Sequence, residues 1–214
     1  MTDPSGMALD RPLVVAVPKG RILKPLVALL ARAGVDAAAL VSDDRSLVRE
    51  AGGLRFLLLK PDDVPTYVEY GAADMGVCGR DVLDERAPDV YRPLDLGIGR
   101  CRLVVAGKIG APPPGGRPRV ATKYPRAAAA HFGQKGVQPE IVYVQGSVEL
   151  APLTGLADII VDLVETGTTL AQNGLEVIED VKPVSSALVV NRVSYKYFSG
   201  PIRSLIARFE AAVG

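Results

Sequence analysis

The run Asp158-Ile-Ile-Val-Asp162-Leu-Val-Glu165-Thr166-Gly167-Thr168-Thr169-Leu170 carries the sharpest chemical signal in the chain. A continuous apolar strand leads straight into a small, hydroxyl-rich turn, and Gly174 bounds the short helix that follows. A strand feeding Thr-Gly-Thr-Thr at a helix start presents several free backbone N–H groups. Those groups and the helix dipole suit a phosphate. Thr166, Thr168 and Thr169 add hydroxyl donors, and Gly167 permits positive φ and close backbone approach. Asp162 and Glu165 flank the phosphate position, where a ribose would extend. Carboxylates accept hydrogen bonds from vicinal hydroxyls and stabilise positive charge developing on a ribose ring. Together these residues describe a ribose-5-phosphate site. They also fit an ordinary helix capped by Thr, and residue types alone leave both readings open. No Lys follows the small cluster, so this is not a Walker loop.

A second set of residues is cationic. Lys19, Gly20 and Arg21 stand in Pro18-Lys-Gly-Arg-Ile22, a strand-to-helix turn of the same type. Arg45 lies in the polar segment Ser42-Asp-Asp-Arg-Ser-Leu47. An Arg in a polar loop is ordinarily a solvated surface charge, and that reading stays beside the functional one. Lys123 and Arg126 begin a helix and fit either a phosphate contact or an exposed position. Glu149 fits a ribose contact or a helix cap. His131, the only histidine, sits mid-helix and reads as structural or surface.

The elements that must position these groups alternate between short apolar runs and helical patterns. Strands are expected at 13–17, 54–59, 75–78, 103–106, 119–121, 141–144 and 159–164. Leu175–Val181 and Ala187–Val190 also read as extended. Helices follow at 22–34, where Pro25 sits in the first turn and Gly34 is the stop, at 62–71, at 124–136 and at 147–153. A final amphipathic helix, 201–213, carries Ile202, Leu205, Ile206 and Phe209 on one face. This alternation implies an α/β protein with mainly parallel sheets. The loop Gly110-Ala-Pro-Pro-Pro-Gly-Gly116 marks a break in composition. We expect two lobes around a central cleft, residues 1–106 with 183–214 and residues 107–182. A strand near 184–192 would return the chain to the first lobe. Interfaces of this kind favour small-ligand sites.

Composition narrows the function classes. Hydrophobic residues make up 48% of 214, so a packed interior is expected, and with no Trp it is built from Val, Leu, Ile and Ala. The 25 basic and 24 acidic residues nearly cancel, which argues against a general nucleic-acid binder. Cys78 and Cys101 with one His cannot form a structural zinc site. The opening MTDPSGMALDRP has no apolar core of signal-peptide length, and no run approaches a membrane span. A cytoplasmic protein with reduced thiols is expected.

Val161–Leu170 resembles the phosphoribosyl pyrophosphate loop of the ATP phosphoribosyltransferase family. Pro18–Ile22, Asp63–Asp74 leading into Gly76–Leu83, and Gly146–Pro152 preceding Gly155–Asp158 resemble that family in the same order. The likeness runs from about residue 13 to the C-terminus. It implies the two-lobed periplasmic-binding-protein type II fold. It also implies transfer of a 5-phosphoribosyl group to N1 of ATP, the opening step of histidine biosynthesis. Asp162, Glu165, Thr166, Gly167, Thr168, Thr169 and Leu170 would bind phosphoribosyl pyrophosphate. Lys19, Gly20, Arg21 and Arg45 would bind ATP, with Arg21 and Arg45 as the family's catalytic arginines. Magnesium would be held mainly through the substrate pyrophosphate, with no metal ligated by protein side chains alone. The chain ends after helix 201–213 and so resembles the short form. Short-form chains work in a hetero-oligomer with a regulatory subunit related to histidyl-tRNA synthetase. Two rival classes remain: a solute-binding module of the same two-lobed fold, and a subunit that has lost catalysis. The missing export signal counts against the first, and the intact loop and Lys19-Gly20-Arg21 against the second.

Overall fold

Among the described residues, eleven strands and eight α-helices alternate. In this computed structural model the described residues are 11–42, 45–112 and 115–214. The opening segment, Asp43 and Asp44 of the Arg45 segment, and residues 113–114 of the Pro-rich loop lie outside them. The elements run β1 Val14–Pro18, α1 Leu23–Arg32, β2 Val48–Ala51, β3 Leu54–Leu59, α2 Val64–Glu69, β4 Met75–Gly79, α3 Arg80–Arg86 and β5 Tyr91–Asp95. Then come β6 Cys101–Lys108, β7 Arg119–Thr122, α4 Pro125–Gln134, β8 Glu140–Tyr143, α5 Leu150–Thr154, β9 Ile159–Val164, α6 Thr168–Gln172 and β10 Leu175–Val184. The chain closes with β11 Ser186–Val190, α7 Arg192–Tyr197 and α8 Ser199–Val213.

Two units result. The first comprises residues up to Gly99 with Ser185–Gly214, and the second Arg100–Val184. The expected boundary at 106 is therefore corrected to 99. Residues 100–106 belong to the second unit because β6 pairs with β9 and β10 there. The return strand near 184–192 is β11, which pairs with β4 and β5 in the first sheet.

The first sheet has the order β2-β3-β1-β4-β11-β5. Its centre is parallel, with Val14–Pro18 in register with Arg55–Leu59, but β2, β11 and β5 join antiparallel. The second sheet has the order β10-β6-β9-β7-β8, parallel only over β9-β7-β8. Both sheets are thus mixed rather than mainly parallel. Strands that are distant in the chain pair antiparallel as well, as β10 does with β6.

Alternation along β1 sends Val15 and Val17 to one face and Ala16 to the other. The first face packs on Leu26, Leu29 and Leu30 of α1 and on Ile202 and Phe209 of α8. Their i, i+3, i+4 spacing forms the apolar stripe that a covering helix requires. The opposite face packs on Val64 and Val68 of α2 and Leu83 of α3. Gly76 is required there, since a Cβ would come within 2.8 Å of Val68 Cγ2 and 3.1 Å of Ala16 O. Cys78 is buried on this face, and burial pushes its thiol pKa well up, so it packs as an inert small side chain.

The second unit repeats the scheme. Ile160, Val164, Leu170, Val104 and Ala151 fill one side of its sheet. Val161, Ile159, Phe132 and Tyr124 fill the other. The short helix expected at 147–153 begins only at Leu150, because Ser147 adopts φ 49°, outside the helical region.

Candidate active site

In the second unit, β8, β7 and β9 run parallel, so the loops that follow them leave the same edge of the sheet. Ligands of α/β sheets bind outside such carboxyl ends. The loop after β9 holds Glu165, Thr166 and Gly167. Gly167 takes φ 83° and ψ −2°, the left-handed conformation, and no side chain caps the helix it opens. The N-cap position is therefore held by Gly167 and not by a Thr. Instead, the Thr166 and Thr168 hydroxyls lie 2.9 Å apart, and Thr168 N–H donates to Thr166 Oγ1 at 3.4 Å. Glu165, Thr166, Thr168 and Thr169 are exposed. The first-turn N–H groups of α6 have no partner four residues back within the helix.

Leu170 departs from expectation. Its side chain is buried against Val104, Ile160 and Val164, so only its backbone N–H is left for a ligand. Asp162 lies on the same sheet face as Ile160 and Val164, half-buried, and its Oδ1 accepts from Leu163 N–H at 2.8 Å.

The neighbouring loops clarify the ambiguous residues. Thr122 Oγ1 donates to Val161 O at 2.6 Å and accepts from Tyr124 N–H at 2.8 Å. This ties the end of β7 to β9 directly beneath Lys123. Glu149 makes no capping hydrogen bond. His131 Nε2 lies 2.6 Å from Glu179 Oε1, and Lys135 pairs with the same carboxylate. Those hydrogen bonds from Lys135 and His131 hold the Glu179 pKa below its ordinary value. His131 thus joins α4 to β10, a structural role.

In the first unit, β1 turns into α1 through Gly20, which takes φ 85°. Gly20 O accepts from Leu23 N–H at 3.1 Å, and Lys19 N–H donates to Leu59 O at 2.8 Å. Beside this turn is a pocket of about 320 Å³ lined by Lys19, Gly20, Lys24, Ser42, Arg45 and Arg49 among others. The described lining residues include four cations and no carboxylate. Such a site attracts polyanions. The structure therefore brings together Lys19, Gly20 and Arg45 but not Arg21. The Arg21 guanidinium donates to Gly99 O at 2.9 Å. Lys24 was missed by sequence reasoning, although it stands four residues after Gly20, one helical turn along.

Among the described residues, no three His, Cys, Asp or Glu side chains are grouped to hold a metal ion. Among them, too, no helix is long and apolar enough to cross a membrane.

A family model described as ATP phosphoribosyltransferase matches residues 60–211. The ATP phosphoribosyltransferase of Sorangium cellulosum is 61% identical over 206 residues, covering 95% of this chain and 97% of that protein. The chain belongs to the ATP phosphoribosyltransferase family. The enzyme of that name from Geobacillus kaustophilus is 49% identical over 203 residues, with 94% and 98% covered. Among solved structures, the ATP phosphoribosyl transferase (HisG:HisZ) complex from Thermotoga maritima matches with TM-score 0.79 at 36% identity, covering 94% of this chain and 98% of that one. The aliphatic sulphonate binding protein SsuA of Escherichia coli matches with TM-score 0.60 at 14% identity, covering 95% and 72%. That likeness concerns the fold alone, which is of the periplasmic-binding-protein type.

An ATP phosphoribosyltransferase moves the 5-phosphoribosyl group of phosphoribosyl pyrophosphate to N1 of ATP and releases pyrophosphate, the first step of histidine biosynthesis. That is the reaction of this chain.

Proposed function

We propose that the turn Glu165–Thr169 and the Leu170 N–H bind the 5-phosphate of phosphoribosyl pyrophosphate, with Asp162 and Glu165 at its ribose hydroxyls. Lys19, Gly20, Arg21 and Arg45 receive the ATP phosphates, and Lys24 joins them. The observation that carries this reading is the left-handed Gly167, which bends the chain so that two threonine hydroxyls converge where α6 begins.

N1 of adenine already has a lone pair, so the displacement needs no strong general base. The anomeric carbon passes through an oxocarbenium-like state while pyrophosphate separates. Asp162 and Glu165 stabilise the ribosyl cation, and Arg21 and Arg45 the departing anion. Arg suits that task through its bidentate donors. The remaining acceleration comes from holding two reactants in line.

Magnesium enters as part of the substrate, chelated by its pyrophosphate. Asp162 and Glu165 are the carboxylates of this loop, and magnesium would keep most of its shell as water and phosphate. The relatives matched here span nearly the same length as this chain. Together with the likeness to the Thermotoga maritima HisG:HisZ complex, this supports a hetero-oligomer with a regulatory subunit related to histidyl-tRNA synthetase. Two cysteines outside any disulfide and two metabolic phosphate substrates favour a cytoplasmic location.

Calorimetric titration with phosphoribosyl pyrophosphate tests the assignment of the loop. Thr168→Ala with Thr169→Ala should weaken binding by about 1.5–3 kcal/mol for each charge-assisted hydrogen bond lost. Unchanged binding removes the loop from the site.

A further inference from the structure

Arg49 is only 9% exposed, although it stands on β2, an edge strand of the first sheet. Its Nη1 donates to Ala39 O at 2.5 Å and to Ser42 Oγ at 2.7 Å. Its Nη2 donates to Ser42 O at 3.3 Å, and its Nε to Ser46 O at 3.4 Å. These acceptors lie on two stretches of chain. One is the 3-10 turn Ala38–Val41 running into Ser42, and the other is Ser46, the neighbour of Arg45. Ser46 Oγ in turn donates to Val48 O at 2.7 Å, which fixes the second stretch to β2 itself. The planar guanidinium therefore grips the segment that carries Arg45 on both of its sides. A cation this buried is costly unless its donors are met, and here four of its five N–H donors are met by oxygens of these two stretches. Ser42, Arg45, Ser46 and Arg49 all line the cationic pocket.

We infer that Arg49 is a positioning residue: it sets the separation of Ser42 and Ser46 so that the Arg45 guanidinium is presented to the ATP phosphates. The inference rests on the assignment of Arg45 to ATP binding made above. Arg49 acts through Arg45, because the four donors named above are directed at backbone and serine oxygens. Lysine cannot replace it, since an ammonium has no rigid fork to span acceptors on two stretches.

The test is calorimetric ATP affinity of the full chain, with its thermal midpoint, for wild type, Arg45→Ala, Arg49→Lys and the double variant. Arg49→Lys should weaken ATP binding roughly tenfold to a hundredfold, the scale of a misplaced binding group. The double variant should bind no more weakly than Arg45→Ala alone, since residues acting through one contact are not additive. Losses that add overturn the inference, as does a lowered thermal midpoint with ATP affinity intact. Wild-type affinity in Arg45→Ala sinks the assignment beneath the inference and the inference with it, and is told apart by that single variant. Should Arg49→Lys not fold, Ser42→Ala removes one acceptor from an exposed serine. It should weaken ATP binding in the wild-type background and not in Arg45→Ala. Weakening in both backgrounds, or in neither, overturns the inference.

Discussion

The hydroxyls of Thr166 and Thr168 meet at 2.9 Å across Gly167. The contact exists because Gly167 takes φ 83°; a right-handed residue there would carry the two side chains apart. Each hydroxyl orients the other. A Cβ at Gly167 would meet nothing closer than Val164 Cγ1 at 3.9 Å, so space is not what demands glycine.

Gly167→Ala therefore tests backbone conformation alone. The left-handed region should cost about 1–2 kcal/mol for an L-residue with a Cβ. A denaturant melt should show a loss of this size, and phosphoribosyl pyrophosphate affinity should fall as the turn relaxes. Unchanged affinity would mean that the left-handed turn does not shape the phosphate site.

Arg21 separates binding from catalysis. Arg21→Ala should lower turnover by roughly 10²-fold, the scale of losing one donor to a developing anion, with a much smaller change in KM for ATP. Steady-state kinetics in both substrates checks this. Normal turnover with a raised KM would make Arg21 a plain binding residue.

How far the sequence carries is clearest at particular residues. Met75–Gly79 and Ile159–Val164 are legible because strands covered on both faces are continuous apolar runs. The strands that escape notice are β2 and β5, both at sheet edges, where exposure admits Glu50 and Pro93. Helix α7 also passes unread, although Asn191 is a proper cap whose Oδ1 accepts from Ser194 N–H at 2.8 Å. Local signals sufficed to read Thr166–Thr169 as the turn into a short helix. They do not show the inward turn of the Leu170 side chain, which depends on packing partners more than 60 residues away, such as Val104. Nor do they show the contact of Arg21, whose acceptor Gly99 O lies 78 residues along. A buried Arg49 is spelled in sequence like any surface arginine.

Acid stability should hinge on Asp74. Its side chain is 1% exposed and accepts from Arg11 Nη1 and Nη2, Val14 N–H and Ser194 Oγ at 2.7–2.9 Å. Burial pushes its pKa up, but the bonds from Arg11, Val14 and Ser194 outweigh that and hold it below the ordinary 3.8. A lowered folded-state pKa gives stability that is fully present above the unfolded value and is lost as pH falls through the folded one. Acid unfolding below about pH 4 should therefore be shallower in Asp74→Asn than in wild type. That variant should also melt lower at pH 7. Identical acid limbs would exclude Asp74 as a major contributor.

Feedback is expected to reside in the regulatory partner. An effector shifts activity only by binding two states unequally, and we place the histidine site on that second subunit. Steady-state inhibition should show the isolated chain insensitive to histidine and the reconstituted complex sensitive. Tight, non-competitive inhibition of the isolated chain would put the regulatory site within these 214 residues.

The most direct measurement is pyrophosphate release from ATP and phosphoribosyl pyrophosphate, with the nucleotide product identified by mass and NMR, for the chain with and without the partner subunit. The expected result is one pyrophosphate for each ATP ribosylated at N1, abolished when either substrate is omitted and strongly reduced by Thr168→Ala with Thr169→Ala. Release that proceeds without ATP, or wild-type release by that double variant, would overturn the assignment of phosphoribosyl transfer to this loop.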